Sequence, residues 1–376
     1  MKETFEERLV DPVTGDLLRV RETRGGDFFY RFHYQLHLQR PGIWIVGAAA
    51  MVMLVALVTG LVIHRRIFKN FFTFRARASS HRTWMDVHNV TSVLVLPFHF
   101  MITFTGLVIF WTIYMPAAVH LFYNSEPKIA QDEMEERIKR PRANRPASLV
   151  SFQGLEQEAR VHWNGGATES IEVHHPGDRH AIVEISRRAD DRLALVSDRV
   201  TFDGSTGEVL QIWKGDKPAF LTYSVRIGLH YIWFEQTVIR WLYFLMGGAA
   251  STMIATGLIL WTVKRREQAG QQGFLLRYRI VEVLNVTMVA GLLVAVALYF
   301  WMNRLLPIEM PDRALWEMRS FFLARGLCVI HGGMRRGSRS VWTEQLFVAS
   351  AMFGLLPPAS PEHRHHAESF AGHAAE

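Results

Sequence analysis

The sequence predicts a mainly α membrane protein, a bundle of four transmembrane helices with one small α+β domain inserted between the second and third. Three observations lead to this fold class. Four apolar runs are long enough to cross a bilayer, basic clusters stand beside them, and strand-like alternation appears between the second and third runs. The composition, 49% apolar with a mean hydropathy of +0.07, fits membrane helices separated by polar segments.

The four apolar runs exceed the roughly 20 residues that a spanning helix needs. They cover about Gly42–Ile63, Val90–Tyr114, Val238–Val263 and Val281–Met302. A shorter run, residues 341–356, is marginal in length. It is predicted as a fifth helix that spans the membrane, lies at its interface or is buried in the protein.

Basic residues cluster in two loops next to these runs, residues 65–82 and 264–279. Lysine and arginine beside a span mark the cytoplasmic side, so residues 1–40 and 115–237 are expected outside. These clusters account for the net charge of +7, and no basic groove or base-stacking motif accompanies them, so no nucleic-acid partner is predicted. The single cysteine, Cys328, excludes an internal disulfide and an all-cysteine metal site within one chain.

The inserted segment is predicted to begin as a charged linker and to continue into a folded core, residues 146–213. One helix and three strand-like stretches are predicted there: Ser148–His162, Ser170–His174, Ala181–Ser186 and Val200–Gln211. Within the last stretch, Asp203–Gly207 is predicted to turn, because two of its residues are glycines that take positive φ readily.

The chain contains two copies of one unit. Asp11–Leu18 and Asp203–Leu210 have one turn pattern, and a histidine follows at the same place in each copy, His37 and His230. A long apolar run containing Thr-Gly-Leu comes next in both. Membrane proteins often place their sites at the interface of such repeats. Residues 1–40 therefore look like the remnant of a first copy, and a longer relative with a further domain and helix is expected.

The second and fourth runs are also related. Asp86–Thr91 aligns with Glu282–Thr287, which shares its acidic residue and its Asn-Val-Thr. In this alignment His88 lies opposite Leu284, and His99 lies opposite Ala295. Apolar residues suffice at these places in the second half, which indicates that the histidines of the first half do more than fill space.

Histidines near or inside the spans are the predicted cofactor ligands, because ionisable groups in hydrocarbon are costly and usually functional. They are His33, His37, His64, His88, His99 and His230. Two levels are expected: an outer pair of His37 (or His33) with His230, and an inner pair of His64 with His88, with His99 between them. One or two b-type haems, held by neutral imidazoles in a bundle core, would suit this arrangement.

Simpler interpretations exist for several of these residues. His64 precedes two arginines and fits an interfacial polar residue, while His99 fits a hydrogen-bonding residue between helices. Thr59, Thr105 and Thr256 each precede Gly-Leu, and we interpret them as packing residues that bond their own helix backbone.

The sequence resembles the PepSY-associated transmembrane family of bacterial inner-membrane proteins over about residues 10–355. The resemblance is carried by Phe32–His37, Thr59–Arg66, Trp84–Asn89 and Asp203–Gly207. Some members of the family are siderophore reductases that hold haem in membrane helices and carry a periplasmic PepSY domain. The resemblance implies haem iron bound through His37, His64, His88 and His230, and a multi-pass protein of the bacterial inner membrane with its PepSY-like domain in the periplasm.

The predicted function is that of a haem-containing electron-transfer protein of the ferric-siderophore reductase type. The partners expected for it are the lipid bilayer, a ferric siderophore, and a quinol or a reductase as electron donor. Two alternatives stay open: a non-enzymatic PepSY-type sensor or accessory protein of iron uptake, and a transporter of a metal or siderophore. The predicted domains are 1–40, 41–114, 115–237, 238–303 and 304–376.

Overall fold

A computed structural model describes residues 8–358 except 12–13, 19–20, 64–79, 125, 127, 130–132, 134, 196, 234–235, 270–275 and 336–337. Helices account for most of these residues. They are α1 (Gly25–Gln35), α2 (Gln39–Ile63), α3 (Ser80–Ile109), α4 (Trp111–Tyr114), α5 (Pro116–Phe122), α6 (Phe152–His162), α7 (Pro218–Tyr231), α8 (Thr237–Ala269), α9 (Leu276–Leu305), α10 (Arg313–Met334) and α11 (Ser338–Gly354). The strands are β1 (Thr168–His174), β2 (Ile182–Arg187), β3 (Arg199–Asp203) and β4 (Val209–Trp213).

Among the described residues, four helices are long and apolar enough to cross a membrane, namely α2, α3, α8 and α9. Helices α2, α8 and α9 contain their predicted runs, and the four-stranded sheet lies between α3 and α8. The predicted run Val90–Tyr114 is not one helix, because Phe110 leaves the helical conformation: α3 ends at Ile109, and Trp111–Tyr114 form the separate α4. The predicted fold class is therefore confirmed. Each helix extends past its apolar run at one end or both, because helical hydrogen bonding continues into the polar residues at the membrane boundary.

The C-terminal region contains two helices where one was predicted. The run at 341–356 lies within α11, which begins at Ser338. The additional helix α10 was not predicted, because Arg313–Met334 mixes arginines and glycines with its apolar residues. Both helices contact α9. Neither belongs to the four helices of spanning length and apolarity, so the membrane role of 341–356 remains a prediction.

The described chain divides into two compact units. One comprises residues 1–43, 74–88 and 253–376, and the other comprises residues 44–73 and 89–252. The inserted domain belongs to the second unit. Its four strands form an antiparallel sheet in the order β1-β2-β3-β4. Helix α6 packs Leu155 and Ala159 against Val183 and Phe202, and this cluster forms the domain core.

The predicted turn at Asp203–Gly207 joins β3 to β4 and is matched by a turn near the N-terminus. In the sheet, Gly207 N–H donates to Asp203 O over 2.8 Å, and Thr206 N–H donates to Asp203 Oδ1 over 3.1 Å. Near the N-terminus, Gly15 N–H donates to Asp11 O over 2.9 Å, and Thr14 N–H donates to Asp11 Oδ1 over 3.0 Å. Gly15 and Gly207 have φ of +77° and +81°.

The two long helices that follow the repeats' first spans are matched as well. Helices α3 and α9 both have 30 residues, and their first and last residues are offset by 196 positions. The alignment of Asp86 with Glu282 uses this same offset. The repeat seen in the sequence is therefore a structural repeat of turns and spanning helices.

The sequence repeat predicts that His37 and His230 occupy equivalent positions, but the short helices α1 and α7 end differently there. His230 lies in the last turn of α7, whereas α1 ends at Gln35 and leaves His37 outside the helix with φ of 55°. Leu36, in the left-handed conformation, caps α1. Gly42 of α2 approaches so closely that an added Cβ would lie 1.8 Å from Gln35 O. The chain turns into α2 too soon for α1 to reach His37.

A buried ion pair joins the beginning of the chain to α10. Arg313 and Glu317 are both fully buried and contact each other. Glu317 also accepts hydrogen bonds from Thr23 Oγ1 and Arg24 N–H over 2.7 and 3.2 Å, and Arg313 donates to Glu22 O over 3.0 Å. These bonds compensate two charges that would otherwise be costly to bury.

Candidate functional site: two anchored histidines

His230 is seated on α3 by two hydrogen bonds at one ring nitrogen. Its Nδ1 lies 3.1 Å from Ile102 O and 3.1 Å from Thr105 Oγ1. A carbonyl oxygen can only accept, so Nδ1 must carry the proton. The ring lies over Gly106, where an added Cβ would come within 2.8 Å of the imidazole Cε1. The seat therefore needs a glycine at this position.

His88 of α3 is seated on α8 in the same way. Its Nδ1 lies 3.0 Å from Met253 O and 3.0 Å from Thr256 Oγ1. The ring faces Gly257, where an added Cβ would lie 3.3 Å from Cε1. Both seats thus consist of the carbonyl three residues before a threonine, the threonine hydroxyl and the following glycine.

The threonines of the two seats are held by their own helices. Thr105 Oγ1 donates to Met101 O over 2.8 Å, and Thr256 Oγ1 donates to Met253 O over 2.9 Å. Each hydroxyl therefore turns a lone pair towards the imidazole N–H. With Nδ1 protonated, the neutral ring has its lone pair on Nε2. Anchoring of one nitrogen by a carbonyl is the usual arrangement of a histidine that ligates a metal through the other.

His99 lies on the same face of α3 as His88. It is eleven residues from His88 and seven from Gly106, so the three positions share one line, with spacings of about 16 and 10 Å. Only 8% of His99 is exposed, and its Nδ1 has no hydrogen-bond partner among the described residues. A buried unpaired nitrogen is costly, and coordination of a metal would remove that cost.

The outer candidates of the first copy are arranged differently. His37 Nε2 is 2.9 Å from Phe28 O and therefore donates, and its ring stacks on Phe28 with 4.7 Å between centroids. Nδ1 is then the nitrogen that would bind a metal, the reverse of the tautomer in His88 and His230. His33 lies in the last turn of α1 and is exposed, and His64 lies outside the described residues.

The structure thus brings His230 to the α3 face that carries His99, and it brings His88 to Thr256. The predicted ligand pairs, His37 with His230 and His64 with His88, remain predictions. Sequence reasoning missed the role of four residues, Thr105, Gly106, Thr256 and Gly257. The repeated Thr-Gly-Leu was noticed and interpreted as packing. The threonines do bond their own backbone, as predicted, but each also holds an imidazole.

Four helices of spanning length, an inserted four-stranded domain and repeated histidine seats define a multi-pass membrane protein built on an internal repeat. The family model of the PepSY-associated TM region matches residues 1–264, and the chain belongs to this family. A relative from Pseudomonas aeruginosa, named uncharacterized protein PA4219, is 24% identical over 329 residues, which cover 81% of this chain and 79% of that protein.

Proposed function

We propose that the protein is a haem-containing electron-transfer protein of the bacterial inner membrane that reduces ferric siderophore iron at its periplasmic face. The observation that carries the proposal is the pair of matched seats. Packing alone does not require two histidines, one on α7 and one on α3, to present the same nitrogen to the same Thr-Gly element. A histidine that binds iron through Nε2 does need its Nδ1–H held by a fixed acceptor, and each of the two seats provides one.

The residues present fit a haem. His88 and His230 have the tautomer that leaves Nε2 as the ligand atom, and His99 contributes a buried nitrogen without a partner among the described residues. Bound haem would supply a one-electron couple of ferric and ferrous iron, whose potential depends on its axial ligands and their hydrogen bonds. The chain's own residues would hold the imidazoles, fix their tautomers and exclude water.

The spacing of these groups on α3 supports transfer across the membrane. From His88 to Gly106 the helix rises about 27 Å, close to the roughly 30 Å thickness of the hydrocarbon core. His99 lies between them. Imidazoles at several levels of one spanning helix would place redox centres near both membrane surfaces.

The siderophore part of the proposal rests on the family resemblance. Ferric iron is held by hard oxygen ligands, and one-electron reduction weakens that binding and releases the metal. With the basic loops in the cytoplasm, the inserted domain and α7 would face the periplasm, where a ferric siderophore arrives. His230, which lies on α7, would then belong to the centre closest to that surface.

A reduced-minus-oxidised absorption spectrum of the purified full chain, with haem quantified per chain, tests the proposal. We expect a b-type spectrum with one or two haems. His88→Ala and His230→Ala should each remove a large part of the haem, and the double variant nearly all of it, whereas the exposed His120→Ala should leave the spectrum unchanged.

Protein expressed with adequate haem and purified without a Soret band would contradict the proposal. Loss of activity on deletion of residues 146–213, with both histidine variants active, would favour the sensor or accessory function instead. Uptake of a metal or siderophore into proteoliposomes without any reductant would favour a transporter.

A further inference from the structure

An apolar cavity of about 730 Å³ lies in the unit formed by residues 44–73 and 89–252, among α2, α3 and α7. This volume is within the range of small-molecule sites. Five aromatic rings line it: Trp44 of α2, Phe104 of α3, Trp111 and Tyr114 of α4, and Tyr223 of α7. The lining is almost entirely apolar, so the cavity does not suit a polar chelate such as a siderophore.

The polar groups of the lining are all able to donate hydrogen bonds. The lining residues with polar side-chain groups are Arg226 and the tryptophans and tyrosines named above. A guanidinium, an indole N–H and a phenol O–H can each donate. Among the described residues, no carboxylate lines the cavity. Arg226 Nε donates to Thr222 O over 3.1 Å, which fixes the side chain along α7. The cavity therefore matches a ligand with an accepting head, a flat ring and an apolar tail.

Tyr114 is built into the cavity wall by a close approach to α2. An added Cβ on Gly47 would lie 2.4 Å from Tyr114 Oη, and the rings of Trp44 and Tyr114 meet edge to face at 5.5 Å. Edge and face contacts of this kind favour a planar guest over a saturated acyl chain. The neighbouring surface of α2 is largely exposed, which lets a long tail continue into the bilayer.

We propose that this cavity binds the head group of an isoprenoid quinone. The carbonyl oxygens of the ring would accept from Arg226 and from the ring N–H and O–H groups, and the ring would stack among the aromatic side chains. The cavity lining includes Phe104, Leu107 and Val108 of α3, the helix on which His230 is seated. Arg226 precedes His230 by one turn of α7.

The role of the bound quinone, but not its binding, rests on the proposed function. Oxidation of a quinol to the quinone releases two electrons and two protons. The two electrons would pass one at a time to the one-electron carriers of the proposed function, and both protons would pass to water. No flavin or nicotinamide motif is apparent in the sequence, so the electrons must come from another donor. A quinol bound at this site would be that donor.

Binding is tested on the full chain in nanodiscs of zwitterionic phosphatidylcholine, titrated with decylubiquinone by isothermal titration calorimetry. We expect saturable binding of one quinone per chain. Ala48 lines the cavity and Ala49, next to it on α2, does not. Ala48→Phe should weaken binding at least tenfold, and Ala49→Phe should leave it within about twofold, since only the former adds a ring to the cavity.

Arg226→Gln provides a second variant without added bulk and should weaken binding several-fold. Absence of saturable binding to folded wild-type chain would overturn the proposal, as would equal effects of Ala48→Phe and Ala49→Phe. Loss of quinone binding when phosphatidylglycerol replaces part of the lipid would also overturn it, by assigning the cavity to an anionic lipid. Haem is quantified on the same samples, so haem-free protein that binds quinone contradicts only the proposed function.

Discussion

The two copies of the repeat have the same scaffold and use one helix face differently. Helices α3 and α9 correspond over all 30 residues, yet His88 and His99 of α3 stand where α9 has Leu284 and Ala295. In the most apolar stretch of α9, 44% of the residues are buried, against 17% in α3. The difference arises because α10 and α11 pack on α9. Ala295 is fully buried beside Phe28 and Phe321.

This difference teaches that a duplicated helix pair keeps its spans while its inner face changes role. The second copy's helix is packed by further protein, so small and apolar residues are needed there. The first copy's helix carries imidazoles on the corresponding face. The Thr-Gly element is present in α2, α3 and α8, but among the described residues a histidine is seated on it only in α3 and α8.

The largest effect is expected from adding a methyl group beneath each seated ring. Gly106→Ala should displace His230, because the new Cβ would lie 2.8 Å from Cε1, whereas Gly257→Ala leaves 3.3 Å and should disturb His88 less. Haem content per chain, the quantity on which the proposed function rests, measures both. Gly60→Ala is the control and should retain the wild-type content, because the added Cβ would have no atom of the described residues outside its own helix backbone within 4 Å. Equal loss in all three variants would contradict the seat geometry.

Removal of a threonine hydroxyl should weaken a seat without emptying it. Thr105→Val and Thr256→Val each delete one of two acceptors at Nδ1 and, with haem bound as proposed, should lower its affinity about 10–100-fold. The loss of an acceptor makes the imidazole a poorer donor to ferric iron, so the midpoint potential of the affected centre should rise. Redox titration measures this, with Thr59→Val as the matched control. An unchanged potential in both variants would count against a role for the seats in the redox site.

Histidine placed in the second copy should be tolerated at one position and not at the other. Ala295→His would force a larger polar ring into a fully buried site and should cost about 1–3 kcal/mol of stability. Leu284 is 41% exposed, so Leu284→His should change stability little. Thermal unfolding in detergent measures both. If the two variants unfold at the same temperature, the distinction between the copies is wrong.

A pH-dependent effect is expected at the two turns. Burial alone would raise the pKa of Asp203, but hydrogen bonds from Ser205, Arg140 and Thr206 N–H outweigh it and hold the pKa well below its usual range. A depressed pKa stabilises the folded state above the unfolded value of about 3.9 and loses that effect as the pH falls below it. Asp203→Asn should therefore cost about 1–3 kcal/mol at pH 7 and less at pH 3.

Asp11→Asn serves as the matched change in the other turn, and we expect a smaller cost there. Urea unfolding of the full chain, followed through Trp163 and Trp213 of the inserted domain, reports on Asp203→Asn. A cost that is independent of pH would show that the carboxylate charge does not contribute.

The spans and the inserted domain were predictable because their patterns are local. Long apolar runs, and alternation around the glycines of Asp203–Gly207, depend on neighbouring residues only. Helix α10 was not predictable in this way, since its Arg313 and Glu317 read as surface charges unless their partners are known. The end of α1 was also not predictable, because Leu36 caps it in a left-handed conformation that is usually signalled by a glycine.

The candidate site was predictable in its residue types and not in its geometry. Intramembrane histidines and the Thr-Gly-Leu repeat are visible in the sequence. That Nδ1 of each seated ring meets a carbonyl and a hydroxyl on another helix depends on which helices become neighbours, and His88 and Thr256 are 168 positions apart.

The bonds between residues 22–24 and Glu317 and Arg313 have a consequence for biosynthesis. The ribosome releases the first segment almost 300 residues before its partners exist, at about 5–20 residues per second. That segment therefore stays without these hydrogen-bond partners for tens of seconds or longer while the spans are inserted. A polypeptide that ends before α10 would therefore lack the partners of residues 22–24 and could not form these hydrogen bonds.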